Sequence, residues 1–405
     1  MRIVHFFTLE NFVLSSLIKT QVFELVESLK FQYRDLDFTI VALYPIHNII
    51  RYFPKIQKIK KDFKKKGIKL VILPTLFISQ WFHIKWGLLP FFFITNFPFL
   101  FLYHFLYKPK IYHCRSYLST YLALPLKFIF KGTKIIFDMR GLYPEEGLVH
   151  KKWTTQSASY KMWKKIEKYL LFKSDKVLVV SDTFKKYIGE TYNIRHIENV
   201  YLFTEVLGKK TKKKISAITF GYIGSLGSWH NFKFLLDIFL LIYKQLGKQS
   251  HFIILSPQYQ EIWNYVKEKK MPFNNKNSFF QVVPHSEVSE HLKKIDIGVL
   301  PLNHFKTKEE NLIGYTMFST KAVEMLSYKI PLLVNEKIGG LKYLIDEYQV
   351  GETFKSDLSN LTKKVKRLVE KMDYYKNKTN QTYETLLKPE ILLKKYYKIY
   401  NSLGG

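Results

Sequence analysis

A chain of 405 residues, 47% of them hydrophobic, has apolar material for two or three domain cores, which excludes a disordered chain. Its 64 Lys and Arg against 33 Asp and Glu leave a formal charge of +31. Such an excess points to an anionic partner (nucleic acid, an acidic membrane face or a phosphorylated ligand) or to lysine-rich solvated faces, and the single cysteine, Cys114, excludes an internal disulfide.

The first apolar run, in MRIVHFFTLENF, ends at Thr8 and Glu10. It is too short for a signal-peptide core and predicts a buried first strand, so a cytoplasmic protein is expected. Apolar, β-branched runs at 2–7, 38–43, 69–73, 110–114, 133–139 and 176–180 predict further strands, separated by helix-like stretches at 15–30, 49–66 and 160–173. Within the second of these, residues 54–67 carry Ile56, Ile59 and Phe63 on one face of a lysine-rich helix, which suits either an anionic leaflet or plain solvation.

Residues 87–107 hold no Lys, Arg, Asp or Glu and are long enough to span a bilayer. Pro90, Asn96, Pro98, His104 and the aromatic enrichment favour core or interfacial helices instead. With the neighbouring aromatic residues from 77 onward, this segment and the basic one predict a surface that meets anionic lipid on the inner face of the cell membrane.

The lysine block near 207–215 reads as a linker. Beyond it strand-like runs restart: AITFGYIG, HFIIL, FFQVV, DIGVLPL, IPLLVN and VGETF. The pattern predicts two α/β domains with mainly parallel sheets, 1–206 and 216–385, and a C-terminal helix within 386–405 that could pack on either domain, the N-terminal one included.

Three stretches carry chemistry. In FGYIGSLGSWHN, Gly224 and Gly227 follow a strand and precede a helix expected near Trp229. Such a turn offers backbone N–H groups to a diphosphate, or is simply tight. FDMRGLYPEEG places Asp138, Arg140, Glu145 and Glu146 in a polar loop at a strand's carboxyl end, either a ligand site or a salt-bridged loop. In MFSTKAVEML, Ser319 can cap a helix whose first turn holds Lys321, with Glu324 at i+3. A lysine there opposes the helix dipole unless an anion sits on it. Gly339 and Gly340 mark a second strand-to-helix turn.

Together FDMRGLYPEE, YIGSLGSWHN, KIDIGVLPL, STKAVEMLSYKIPLLV and IGGLKYLIDEYQVG resemble, in order and spacing, the retaining family 4 glycosyltransferases. SSLIKTQVFELV and IYHCRSYLSTYLAL are similar to further segments of that family. The resemblance implies the GT-B fold, two Rossmann-like domains facing across a cleft, and covers nearly the whole chain. It implies a nucleotide-diphosphate sugar on the C-terminal domain, with Glu324 on the ribose, Lys321 near the diphosphate, and Gly224, Ser225, Gly227 and His230 in the loop beneath it.

Arg140, Lys321 and the turns at Gly224–Gly227 and Gly339–Gly340 would stabilise the leaving phosphate, and His113 would contact a sugar with help from Arg115. Asp138, Glu145 and Glu146 are candidates for acceptor contacts. The chain departs from the family where its first glutamate falls at Thr316, and where its usual Arg and Lys fall at Ser225 and His230. The expected acceptor is a cell-envelope or lipid-linked glycan. Neither cofactor, metal nor nucleic-acid partner is expected; the one DxD, Asp35-Leu36-Asp37, lies in a turn before a strand. The alternatives are a GT-B nucleotide-sugar epimerase and a basic nucleic-acid-binding protein.

Overall fold

The computed structural model describes residues 2–75, 83–204, 217–226, 231–302 and 307–404. The expected linker, Gly227, Trp229 and His230, and residues 77–82 of the aromatic segment lie outside the described residues. The chain divides into two units, the first comprising 1–203, 308–313 and 389–405, the second 204–307 and 314–388.

The first unit is built on seven parallel strands: β1 (Arg2–Thr8), β2 (Leu36–Pro45), β3 (Lys69–Thr75), β4 (Ile111–Arg115), β5 (Lys134–Asp138), β6 (Lys176–Val179) and β7 (Ile197–Asn199), ordered β3-β2-β1-β4-β5-β6-β7. Six follow from the apolar runs. The three-residue β7 gives no such signal, because Glu198 and Asn199 interrupt it. Side chains such as Val4, Phe6, Ile40, Val41, Ile135 and Phe137 are fully buried, as expected of a sheet covered on both faces.

Right-handed crossovers decide which helix covers which face. The steps β1→β2→β3 run toward one edge, whereas β3→β4→β5→β6 run the other way. The helices Leu25–Gln32 and Phe53–Lys65 therefore lie on one face, and Leu89–Tyr107, Ser116–Ile129 and Ala158–Lys173 on the other. Phe63 meets Phe23 edge-on at 4.8 Å on the first face. Phe93 meets Tyr121 at 5.8 Å on the second.

This arrangement corrects the expectation of one shared lipid-binding surface. The basic and aromatic segments stand on opposite sides of the sheet, and Ile56 and Phe63 of the basic helix are buried in the protein. Residues 89–107 form one continuous helix that tolerates Pro98 in its interior.

The C-terminal helix, Pro389–Leu403, belongs to the first unit. Its Tyr397 stacks on Tyr33 at 4.0 Å and donates to Asp35, while Asp37 pairs with Lys30. Both carboxylates of the DxD thus have protein partners.

The second unit has six parallel strands: β8 (Ile218–Ile223), β9 (Ser250–Leu255), β10 (Ser278–Gln281), β11 (Ile297–Leu300), β12 (Leu332–Asn335) and β13 (Gly351–Phe354), ordered β10-β9-β8-β11-β12-β13. In each sheet the order reverses beside the first strand, and in open α/β sheets ligands bind beyond the strands' carboxyl ends at such a point.

Candidate active site

In the second unit, β8 ends at Ile223 and the chain turns at Gly224 with φ +119°, a conformation that excludes ordinary side chains. A Cβ there would stand 2.2 Å from Lys321 Cε. The bare backbone therefore admits the stem of Lys321. The expected N–H cradle is not what the described part of the turn offers. Gly224 N–H donates to the Leu255 carbonyl at 2.8 Å, and Leu226 N–H donates to Gln258 Oε1 at 3.0 Å. Ser225 supplies its carbonyl to the Tyr222 hydroxyl at 2.8 Å. The helix after the turn begins at Phe232, capped by the Asn231 side chain, three residues beyond Trp229.

Lys321 lies in the first turn of the helix Thr320–Ser327. Ser319 occupies the cap position, but its hydroxyl makes no capping bond, contrary to expectation. The Lys321 ammonium stands 5.7 Å from the Tyr222 ring centroid. Among the described residues no carboxylate lies within 4.0 Å of it. Burial lowers the Lys321 pKa, an effect that Glu324 partly offsets. Burial also pushes the Glu324 carboxyl up to about 7, against the attraction of Lys321. A half-buried cation beside a carboxyl that titrates near neutrality is an electrostatic arrangement a bound anion would complete.

Gly339 and Gly340 open the helix Gly339–Tyr348 and are buried. A Cβ on Gly339 would meet the Tyr315 carbonyl oxygen at 2.3 Å, so close backbone packing accounts for the missing side chain. Thr316, where the family's first glutamate would fall, is buried too.

The first unit gathers His113, Arg115, Asp138 and Arg140 at the carboxyl ends of β4 and β5. Arg140 Nε donates to Asp138 Oδ2 at 2.8 Å, while His113 Nε2 and Arg115 Nη1 stand 3.3 and 3.9 Å from the same oxygen. Burial alone would raise the Asp138 pKa. The Arg140 charge, the His113 contact and Arg115 together hold it well below the usual carboxylate range.

Arg115 also donates to Glu10 and, at 3.0 Å, to Gln21 in the π-helical stretch Lys19–Glu24. His113 is fully buried, stacked on Phe6 at 4.2 Å, with Nδ1 2.8 Å from the Tyr400 hydroxyl. Burial lowers its pKa despite Asp138, so the ring is neutral. Tyr396 lies against the Arg140 guanidinium. Cys114 is buried beside this cluster with its thiol pKa raised.

Glu145 and Glu146 are not in a loop; they sit in the first turn of the helix Tyr143–Val149. Glu145 is buried and receives Lys164 at 3.1 Å and the Tyr160 hydroxyl at 3.2 Å. Lys164, Tyr117 and Tyr192 meet on the buried Glu167 carboxylate. Burial, then the Glu145 charge, push Glu146 to about 7. The residues that sequence reasoning missed are Glu10, Gln21, Tyr396 and Tyr400 in the first unit and Tyr222 and Gln258 in the second. Gln21 falls within SSLIKTQVFELV and Tyr222 within YIGSLGSWHN; the others lie outside the segments that carry the resemblance.

Residues 217–371, which hold all six strands of the second sheet, match the family model described as Glycosyl transferases group 1. No curated protein matches the chain by sequence. Among solved structures it is similar to sucrose-phosphate synthase from Thermosynechococcus elongatus, at 13% identity and TM-score 0.69, covering 100% of this chain and 99% of that one. The lipopolysaccharide outer core galactosyltransferase WaaB is similar at 13% identity and TM-score 0.64, with 99% of each chain covered. HepE of Anabaena, solved with UDP and glucose, is similar at 12% identity and TM-score 0.61, covering 98% of this chain and 99% of that one.

The fold is therefore the two-domain α/β fold of the GT-B glycosyltransferases. The stretch that matches the group 1 glycosyltransferase model lies in the second unit, apart from residues 308–313.

Proposed function

We propose that the chain is a retaining glycosyltransferase of the family 4 type, moving a sugar from a nucleotide-diphosphate sugar to a cell-envelope or lipid-linked glycan. The observation that carries this reading is the Lys321 ammonium, laid over Gly224 at the end of β8 without a carboxylate partner among the described residues and followed one turn later by Glu324. Transfer breaks the anomeric C–O bond while negative charge grows on the leaving diphosphate. A fixed cation in a partly dry site stabilises that charge more than the ground state. Ionised Glu324 accepts two hydrogen bonds, which suits the ribose hydroxyls. The match of 217–371 to the group 1 model supports the assignment, as does the likeness to structures described with UDP and glucose. WaaB, named for the lipopolysaccharide outer core, supports an envelope acceptor.

In this reading no divalent metal takes part, since Lys321 supplies the charge that a cation otherwise would. The test is isothermal titration with a panel of nucleoside diphosphates and their sugars, followed by transfer assays in excess chelator and NMR of the product anomer. We expect binding that Glu324→Ala weakens without unfolding the chain, transfer that persists in chelator, and retained configuration. Unchanged affinity in the folded variant overturns the donor site. Activity restored only by manganese or magnesium overturns the metal-free reading.

A further inference from the structure

The helix Leu89–Tyr107 is the crossover between β3 and β4, and its two sides differ. One side buries Leu89, Phe92, Asn96, Leu100, Tyr103 and His104 in the protein. The other exposes Phe91, Ile94, Leu102, Phe105 and Leu106, with Ile94 68% and Leu106 63% exposed.

Neighbouring helices continue this surface. Phe101 meets Phe130 at 5.5 Å, which brings exposed Phe128 and Ile129 alongside. The Lys127 ammonium donates to the Lys173 carbonyl at 2.8 Å, drawing exposed Phe172 and Tyr169 to the same edge. Exposed apolar side chains thus gather on three neighbouring helices of one side of the sheet, where a soluble surface ordinarily shows them scattered singly.

We infer that this face seats the first unit on an anionic lipid bilayer, in the interfacial layer and without crossing it. The segment Trp86–Tyr107 is long and apolar enough to span. To do so it would have to strip its buried side from the domain and undo the β3–β4 crossover. Lying flat, it keeps both its core contacts and its apolar exposure.

Charge complementarity selects lipid over a second copy of the chain. No charged residue falls between Trp86 and Tyr107, whereas exposed Lys85, Lys108, Lys110, Lys131, Lys168 and Lys173 border the face. Lys85 and Lys152, with Trp86 and Trp153, also line a cavity of about 610 Å³ at the start of the helix, where a lipid phosphate can enter. A second copy would bring another +31 against this rim, while an anionic leaflet neutralises it.

The face differs from the basic helix Phe53–Lys65, whose apolar side chains Ile56 and Phe63 are spent in the core on the opposite side of the sheet. Lysines there are too remote from the leaflet for more than a screened contribution.

The test is flotation of the full chain with vesicles of phosphatidylglycerol and phosphatidylcholine, and with phosphatidylcholine alone. Wild type should float with the anionic vesicles and, in part, at raised salt. The combined variant Ile94→Ser, Phe105→Ser, Leu106→Ser alters only exposed positions and should weaken recovery by about tenfold or more. Each of Lys85→Gln and Lys108→Gln should cost about fivefold. Lys58→Gln, Lys61→Gln and Lys64→Gln on the other face should change recovery little. Equal flotation of the triple-serine variant and wild type overturns the proposal, as does loss caused by the far-face lysines alone. If wild type is a dimer by light scattering and the serine variant a monomer that floats equally well, the face belongs to a second copy instead.

Discussion

The two sheets carry polar groups at comparable places, the carboxyl ends of their central strands, yet they use them in opposite ways. In the first unit Asp138 is shared by Arg140, His113 and Arg115; Arg115 has Glu10 and Gln21 besides, and Tyr396 and Tyr400 cover the group. In the second unit Lys321 has no ion-pair partner among the described residues, and Glu324 is held near neutrality by burial. A charge-balanced cluster stabilises the fold that contains it, even where, as here, His113 Nε2 and Arg115 Nη1 face Asp138 without a well-formed hydrogen bond. An uncompensated charge marks where a ligand adds something the protein lacks. Position in the fold therefore singles out both places, while charge balance is the ground on which we propose a binding role for the second and a structural role for the first.

The largest effect that would break this contrast is on stability. Asp138→Ala removes the oxygen on which Arg140 and His113 converge and leaves the guanidinium without its carboxylate. Loss of one partner from a buried pair costs about 3–5 kcal/mol, so urea denaturation should show a much lower midpoint. An unchanged midpoint would mean that the network does not hold the first unit together. The pH signature has a definite sign: a carboxylate held below its unfolded value contributes stability above that value, which is lost as the pH falls through the folded one.

Lys321→Ala should do the reverse. Its desolvated ammonium makes no ion pair among the described residues, so the urea midpoint should hold or rise. Affinity for the nucleoside diphosphate should fall by about 1.5–3 kcal/mol, roughly ten- to a hundredfold. A variant that unfolds easily but binds normally would reverse the assignment of the two regions.

Glu324 sharpens the contrast through pH. Its pKa of about 7 lies above the unfolded value, so its contribution to stability is present at low pH and declines as the pH rises toward 7. Binding runs the other way, because only the ionised carboxylate accepts two ribose hydroxyls. Nucleotide affinity should thus rise several-fold between pH 6 and 8, and Glu324→Gln should flatten the Glu324 part of that rise. An equally steep profile in the glutamine variant would assign the titration to the phosphate of the ligand.

Much of the architecture was legible, because buried parallel strands read as continuous apolar runs; only β7, three residues with two polar ones, escaped. The helix Tyr143–Val149 was missed although Pro144 at its start and Glu145 and Glu146 in its first turn are helix-start signals. Glycine at 224 was visible as a need for bare backbone, but its occupant, the Lys321 stem, comes from the first turn of a helix that follows another helix far along the chain. Periodicity showed the apolar face of 54–67, and the absence of charge marked 87–107 as an apolar run. It could not show what covers them, since that depends on the direction of each crossover.

The smallest effect concerns the tyrosines from the C-terminal helix. Tyr400 is fully buried, its hydroxyl 2.8 Å from His113 Nδ1 and its ring edge-on to Phe38. Tyr400→Phe keeps the ring and removes only the hydroxyl. His113 is neutral, so one ring nitrogen donates and the other accepts; without Tyr400 the Nδ1 side has no partner, while Asp138 still faces Nε2. One lost neutral hydrogen bond in a packed interior costs about 0.5–1.5 kcal/mol. The loss should therefore be a fraction of that in Asp138→Ala, with nucleotide affinity unchanged because Tyr400 belongs to the first unit. A drop in affinity at constant stability would show that this cluster also reaches the ligand, and the proposed division between a structural region and a binding region would have to be given up.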